Sequence, residues 1–448
     1  MTATSAAVDT PATAERTGGG PSSGFVVAAI LIVVGVIATT LAQPQVLGRI
    51  PITNMMKNEM HVSRADSAGF FFLIGLPWYF KPLAGVLTDA FPIFGTRRKS
   101  YLITSGVLAT LAWAGIAFTP HQYWPLLWMC LLLSVFMMIA STVIGAFMVE
   151  IAQATGTPGR LSSLRQVTSL VCSFITGPTA GFLGSIAFAF TAAACGLTVF
   201  IIVPAALFLM REQRQRVDSS EVLRGAGEKV SLIASARTMW IAAAVIAFVF
   251  SAPGLSTAIF YRQQDLLHMT TNRGPGLPGF LGGQGFLGVI GATTGLAAAG
   301  FYVWACRRFD LRTMLIGSFV AAGIGGLGVL FYTTATNARI LAALGGFVGT
   351  LVELAIMDLA LRATPAGAEG MGFSLLMSAR NIFLFAADWA GSNLLDKHIA
   401  SFDAVVWISA VWTILAAALV LWLPHHLVRR KEAEVLEEYP APATAVQE

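Results

Sequence analysis

Apolar segments of about 20 residues recur along the whole chain, separated by short polar loops. A bilayer core about 30 Å thick needs roughly this length of helix, and only helices or closed barrels satisfy their own backbone groups in lipid. The segments are too long for barrel strands. We therefore predict an all-α membrane protein of about 12 transmembrane helices. The predicted helices cover residues 24–43, 66–88, 100–118, 123–148, 163–183, 185–210, 238–261, 279–304, 312–333, 339–361, 370–393 and 402–424.

The composition agrees with a protein embedded in the lipid bilayer. Hydrophobic residues make up 56% of the 448 positions, charged residues 11%, and the mean hydropathy is +0.73. A water-soluble domain of this size does not have that balance. The cysteines and histidines lack metal-site spacing, and no catalytic triad or phosphate-binding loop is found. We therefore expect no enzymatic activity, metal or cofactor.

Lysines and arginines concentrate in alternate loops. The clusters follow the second, fourth, sixth, eighth, tenth and twelfth predicted helices. Because basic loops stay on the cytoplasmic side, both termini are predicted to be cytoplasmic, in a bacterial inner membrane. The formal net charge of +5 reflects this bias, so it does not indicate a nucleic-acid partner.

The longest basic segment, residues 211–237, divides the helices six and six. This division predicts two bundles, with a substrate site between them near mid-membrane. The expected organisation is a disordered tail over 1–23, bundles over 24–210 and 238–424, the linker between them, and a second tail over 425–448.

A polar cluster follows the second helix. Gly85 is predicted to allow close helix contact, and Asp89 can pair with Arg97 or Arg98 in the next loop. Such a cluster can close the cytoplasmic side when the protein faces outward. It resembles the Gly-x-x-x-Asp…Arg signature of the major facilitator superfamily.

A more specific resemblance is carried by two strings of sequence. Residues 77–99 contain Pro-Trp, Lys-Pro-Leu, Gly, Thr-Asp, Pro-Ile-x-Gly and Arg-Arg, and residues 365–381 contain Pro-x-Gly-x-Glu-Gly-x-x-Phe-x-Leu-Leu-Met-Ser-x-x-Asn. Both are similar to the folate-biopterin transporter family of the major facilitator superfamily. The resemblance implies transport of folates or pteridines, with Lys81 contacting an anionic substrate. That family carries two aspartates before a glutamate on the fourth helix, whereas residues 141–150 keep only Glu150, which favours an unrelated substrate as the alternative.

Charges inside the membrane are the candidate functional residues, because a lone charge at mid-bilayer costs at least about 2.5–3.5 kcal/mol. Lys81 is interpreted as a substrate contact, or alternatively as part of a structural ion pair. Glu353 and Arg380 lie at similar distances from the loop between the tenth and eleventh helices, so they can meet. Glu353 would then couple to protons while Arg380 holds the substrate anion. A permanent ion pair is the alternative.

Further acids are assigned to proton coupling or gating. Asp358 lies four residues before Arg362, which predicts either a coupling group or a local ion pair. Asp388 is a candidate proton acceptor toward the outside. Glu150 is predicted to join a gate network with Arg160 or Arg165.

Uncharged polar and aromatic residues complete the candidate substrate site. Gln43 and Asn381 suit the donor and acceptor edge of a pterin ring, but amides also join helices. Tyr261 supplies either an aromatic wall of the site or part of the interfacial aromatic belt.

We interpret the chain as a proton-coupled secondary transporter of folate- or pteridine-like organic anions, working by alternating access. Its expected partners are a small molecule, protons and the lipid bilayer, and we expect a monomer. The alternatives are a transporter or exporter of an unrelated small molecule, and a non-transporting membrane protein that delivers a pigment or cofactor.

Overall fold

The structure is a computed structural model that describes residues 23–155, 158–210, 212, 219–306, 308–365 and 368–428. The N-terminal half is helical throughout. Its helices are α1 (Ser23–Leu41), α2 (Arg49–Asn58), α3 (Arg64–Ile74), α4 (Leu76–Tyr79), α5 (Lys81–Ala90), α6 (Lys99–Phe118), α7 (Tyr123–Thr155), α8 (Pro158–Leu183), α9 (Phe188–Phe200) and α10 (Ile202–Leu209).

The C-terminal half begins with a helix that the sequence analysis did not predict, α11 (Ser219–Ser235). The remaining helices are α12 (Arg237–Phe250), α13 (Ser256–Asp265), α14 (Gln284–Ala305), α15 (Leu311–Leu327), α16 (Ala335–Ala363), α17 (Glu369–Asp396), α18 (Phe402–Leu419) and α19 (His425–Val428). The predicted tail over 1–23 lies outside the described residues except at its last position, and the predicted tail over 425–448 is described only as far as α19.

Eight stretches of the described chain are long and apolar enough to cross a bilayer as single spans. The other four crossings are α1, the chain of α3, α4 and α5, the more polar α8, and the pair α12 and α13. Helix α11 meets α12 at 73°. Its apolar residues face one side and its charges the other, so we place it along the membrane surface rather than across it. The prediction of about twelve spans is confirmed.

Two crossings are interrupted where the sequence disfavours a continuous helix. Pro77 and Pro82 stand in the first turns of α4 and α5. Proline lacks a backbone N–H, so it is tolerated at a helix start but interrupts a helix interior. The seventh crossing breaks between α12 and α13, across Pro253 and Gly254. These breaks leave backbone groups for other side chains to satisfy.

The two halves form separate bundles with their own cores. Among the described residues, three clusters lie in the C-terminal half, the largest of them among α12, α15, α16, α17 and α18, and two lie within the N-terminal helices. We call the end of the bundles that holds loop 91–98, residue 212 and the end of α16 the linker side. The opposite end, which holds loops 42–48, 119–122 and 266–283, is the far side.

Glycines bring α8 and α14 together across the bundle interface near the far side. A Cβ added at Gly177 would lie 2.7 Å from the carbonyl oxygen of Gly285, and one at Gly181 would lie 2.9 Å from the Cα of Gly285. Both distances are shorter than an ordinary van der Waals contact between a Cβ and a backbone atom. These small residues of the fifth crossing therefore hold the two bundles in contact.

We expect Gly181→Ala to lower the thermal stability of the purified protein. Its Cβ would meet the backbone of Gly285 and of Thr271, so helices must shift, at a cost of about 1–3 kcal/mol. The unfolding midpoint can be followed by tryptophan fluorescence. Gly349→Ala is the matched control, because a Cβ there meets nothing within 4 Å, and that variant should be at least as stable as the parent. Equal midpoints for both variants would contradict the packing role of Gly181.

Candidate functional site

Lys81 is held at mid-membrane by the break before α5. Its side chain is half-buried, and its ammonium group donates a hydrogen bond to the Ser141 hydroxyl on α7 at 3.0 Å. The same nitrogen lies 5.5 Å from the ring centre of Trp78, a cation-π distance. Among the described residues, no carboxylate forms an ion pair with Lys81. Its charge is therefore stabilised by dipoles and a ring rather than by a counter-ion.

Arg165 on α8 adds a second cation to the same wall. A small cavity of about 40 Å³ is lined by Thr39, Ser141, Gly145 and Arg165, among other residues of α1, α7 and α8. Ser141, which accepts the hydrogen bond from Lys81, also lines this cavity, so both cations lie near the same side chain. Within the described chain Arg165 has no carboxylate partner either. The N-terminal bundle thus presents two cations without acids on one wall.

The opposite bundle carries the ion pair that the sequence predicted. Arg380 on α17 donates from Nη2 and Nε to one oxygen of Glu353 on α16, at 2.6 and 3.1 Å. Its Nη1 donates to the Asn381 side-chain oxygen at 2.7 Å, and its guanidinium lies 4.9 Å from the ring centre of Phe250. Glu353 and Arg380 are both only half-buried. Asn381 therefore supports the arginine and has its oxygen occupied.

A second group of charges lies on the linker side. Arg98 forms ion pairs with Asp89 at 2.6 Å and with Glu150 at 2.7 Å, and Arg97 lies 3.5 Å from Asp89. Burial alone lowers the pKa of Arg98, but Glu150 and Asp89 raise it above its ordinary value. The contact expected between Asp89 and the arginines is present. The expected pairing of Glu150 with Arg165 is wrong, because Glu150 pairs with Arg98 instead. The side chain of Arg160 lies outside the described residues.

Glu212 completes this linker-side group and was missed by the sequence analysis. Its carboxylate accepts hydrogen bonds from the backbone N–H groups of Arg97, Arg98 and Lys99, at distances from 2.7 to 3.2 Å. These donors stand at the start of α6, where N–H groups lack helical partners and the helix dipole favours negative charge. A carboxylate from the chain beyond α10 thus caps α6. No local spacing signals it, since Glu212 lies more than a hundred positions away in sequence.

Three other candidates do not face the Lys81 wall. The Gln43 amide, just after the end of α1, donates to the backbone oxygen of Thr39 in that helix. Tyr261 donates to the backbone oxygen of Val62 at 2.8 Å, which joins the bundles on the far side. Gly85 is not a point of closest approach, since an added Cβ would meet Thr142 at an ordinary 3.7 Å.

The remaining two acids are paired. Asp358 accepts from Nε of Arg362 at 2.7 Å, as its spacing predicted, and Tyr302 lies 3.4 Å away. Asp388 is buried near the far side, where it accepts two hydrogen bonds from Thr257 and lies 3.6 Å from Nη2 of Arg49. Arg49 was not among the residues predicted to be functional.

The family can now be stated from comparison with known proteins. The model of the BT1 family matches residues 44–442. This chain belongs to the BT1 family. A relative is the folate-biopterin transporter of Synechocystis sp., which is 27% identical over 75% of this chain and 69% of its own length. The probable folate-biopterin transporter 2 of Arabidopsis thaliana is 24% identical over 78% of this chain and 72% of its own.

Solved structures show the same fold as this BT1 family member. The crystal structure of a D-xylose-proton symporter superimposes with a TM-score of 0.66 at 14% identity, covering 89% of this chain and 97% of that one. The nucleoside transporter NupG gives 0.64 at 10% identity, covering 90% and 99%. The chain therefore has the major facilitator fold, and it is a membrane transporter rather than an enzyme.

Loss of the Glu212 cap should destabilise the linker side. We expect Glu212→Ala to cost about 1–2 kcal/mol, because the first N–H groups of α6 lose their acceptor. The thermal unfolding midpoint of the purified protein should fall accordingly. Glu228→Ala, at an exposed position beyond the first turn of α11, serves as the control and should change the midpoint little, because its ion pair with Arg224 is exposed. If both variants have the same unfolding midpoint as the parent protein, the Glu212 carboxylate does not stabilise the start of α6.

Proposed function

We propose that this protein transports folate- or pteridine-like organic anions by alternating access, coupled to protons. The observation that carries the proposal is the wall formed by Lys81 and Arg165, two cations at mid-membrane without an acidic partner among the described residues. Lys81 is half-buried and Arg165 is exposed, so both can meet a ligand, and two positive charges on one wall attract an anion. An anionic substrate group entering between them would supply the missing negative charge.

The chemistry of this wall suits a carboxylate. Arginine offers a planar fork of donors for two carboxylate oxygens, and lysine adds a point charge. Ser141 can turn its hydroxyl toward the ligand, and Trp78 offers a ring beside the ammonium group of Lys81. Folates join a flat aromatic ring system to a tail that carries carboxylates. The carboxylates match the two cations, and the rings match Trp78. The names of the relatives support this substrate class.

Glu353 is proposed as the proton-coupling residue. In the paired state Glu353 accepts two hydrogen bonds from Arg380 and neutralises its charge, so that arginine attracts another anion only weakly. Protonation removes the negative charge of Glu353, and Arg380 is then free to hold a substrate anion from the C-terminal bundle. One proton and one anion would bind together and leave together. Asp358 is a less suitable coupling group, because its arginine partner lies on the same helix, one turn away.

The orientation follows from the basic loops. The linker side holds Arg97, Arg98, Lys99 and the basic linker, so we propose that it faces the cytoplasm, with both termini there. The far side would then face outward from a bacterial inner membrane. In this state the two bundles are joined mainly at the far side, which corresponds to closure toward the outside. We propose a monomer, since both walls of the site come from one chain.

A transporter of an unrelated anion is the second candidate. The stretch of the fourth crossing in which the resemblance leads us to expect two aspartates instead holds Ser141 and Gly145, both of which line the small cavity with Arg165. The wall therefore has more net positive charge than the resemblance implies. A more highly charged substrate than a pteridine fits that difference.

The anion contact can be tested by uptake of labelled folate into proteoliposomes. Ser141→Asp should reduce uptake about tenfold or more, because it places a carboxylate beside Lys81 and occupies the site internally. Lys81→Ala and Arg165→Ala should do the same. Ser141→Asn is the matched control of similar size without charge, and it should retain most of the uptake. Full uptake by Ser141→Asp would exclude this wall as the anion site, and no uptake by folded parent protein would exclude folate.

The coupling residue can be tested with Glu353→Gln, which cannot exchange a proton. Exchange of substrate across the membrane at equal pH should persist, since it needs no net proton movement. Accumulation driven by an imposed pH difference should be lost. The double variant Glu353→Ala with Arg380→Ala addresses the permanent-pair alternative. If that double variant still accumulates substrate against its gradient, the pair is structural and protons enter elsewhere.

A further inference from the structure

The break in the seventh crossing is fastened to α17 by Asp388. Helix α13 starts at Ser256 without a capping side chain of its own. Instead, Asp388 accepts from the backbone N–H of Thr257 at 3.0 Å and from its hydroxyl at 2.7 Å. The backbone N–H of Gly254 donates to Ala387 at 2.8 Å, and Gly391 allows that approach. A carboxylate at a helix start interacts favourably with the helix dipole.

The same carboxylate also reaches the other bundle. Nη2 of Arg49, at the start of α2, lies 3.6 Å from Asp388 and donates to the Ser256 hydroxyl at 3.1 Å. The guanidinium stacks 4.8 Å from the ring centre of Phe71. Asp388 is 6% exposed, so the charge it carries in this state is balanced mainly by Arg49. A cavity of about 310 Å³ lies directly between α2 and α13 at this point.

Helix α13 makes further bonds to the N-terminal bundle. Asp265 at its end pairs with Lys57, and Tyr261 bonds to the backbone of Val62. Gln264 donates to the Asn54 side chain at 3.1 Å. Arg64 and Asp396 form one more ion pair between the bundles, at 2.7 Å. In the three ion pairs that join the bundles in the described chain, the cation comes from the N-terminal bundle and the acid from the other.

We propose that Asp388 is the positioning residue of the far-side gate, the set of contacts that joins the two bundles on the far side. It joins the start of α13 to Arg49, so that α13 swings away at the 251–255 break when this contact opens. This inference concerns a residue of the transport cycle and does not depend on which substrate is carried. In the closed state the Arg49 contact neutralises Asp388. In the open state Arg49 departs with the N-terminal bundle, and water must replace it.

Loss of the charge should therefore favour the open state. Asp388→Asn keeps an oxygen to accept from Thr257 but removes the attraction for Arg49. Arg49→Gln removes the same attraction from the other bundle and leaves the α13 cap intact. Each variant weakens only the closed state, because in the open state the two groups are already apart.

The gate can be measured by the labelling rate of a cysteine at position 53 with a membrane-impermeant maleimide. Thr53 is buried and lines the cavity between α2 and α13. Cys306 is replaced by serine, because it is the least buried native cysteine in the described chain. Labelling at position 53 should become about tenfold faster in Asp388→Asn and in Arg49→Gln. The double variant should be no faster than either single variant, because both remove one contact.

Two controls separate gate opening from local damage. Thr257→Val removes one hydrogen bond to Asp388 but keeps Arg49 in place, so its labelling rate should stay within about twofold of the parent. Native Cys130 is fully buried, so faster labelling there would reveal global unfolding. Unchanged labelling at position 53 in Asp388→Asn would overturn the proposal. The proposal would also be overturned if the increase in labelling rate in the double variant were the product of the two single increases, since the two residues would then act separately.

Discussion

A charge held away from water needs a partner, and this requirement organises the polar interior of the protein. Glu353 with Arg380, Asp358 with Arg362, and Asp388 with Arg49 meet it through ion pairs. Lys81, which is half-buried, and Arg165, which is exposed, have no such partner among the described residues. Insertion of such residues into the membrane costs several kcal/mol unless a favourable interaction offsets that cost. In a transporter, the ligand itself is the natural source of the missing charge.

The interrupted crossings allow polar contacts to form where a continuous helix would prevent them. The break before α5 brings Lys81 to Ser141 and Trp78, and the break before α13 exposes a helix start that Asp388 caps. Backbone groups freed inside a membrane have to be satisfied by neighbours, which ties each break to another helix. The same breaks provide points at which half of a crossing can move without unfolding the rest.

The two bundles contribute unequal charge to the pathway. The N-terminal wall carries two cations, whereas the C-terminal wall is neutral while Glu353 stays ionised. On the far side, each of the three ion pairs that join the bundles in the described chain takes its cation from the N-terminal bundle and its acid from the other. Opposite charges across a moving interface favour closure, and they cost little to separate when water enters. With this distribution of charge, the two bundles can close on the far side and separate again.

Several features followed from the sequence alone because they depend on local pattern. Hydropathy set the number of crossings, and two strings of residues marked the family. The interruptions of the second and seventh crossings were not predicted. The Glu353 contact with Arg380 could be anticipated because the helices are joined by a short loop, which fixes their relative height. The i and i+4 spacing of Asp358 and Arg362 likewise fixed their pairing.

Contacts between distant segments were decided only by the tertiary structure. Arg98 rather than Arg165 reached Glu150, Glu212 capped a helix that starts more than a hundred positions earlier, and Tyr261 joined the bundles instead of lining the cation wall. Each depends on how helices rotate and approach one another. Rotation is set by the packing of small residues such as Gly177 and Gly181, and hydropathy does not encode it. The sequence determined which charges enter the membrane, and the packing of helices decided which of them remain without a partner.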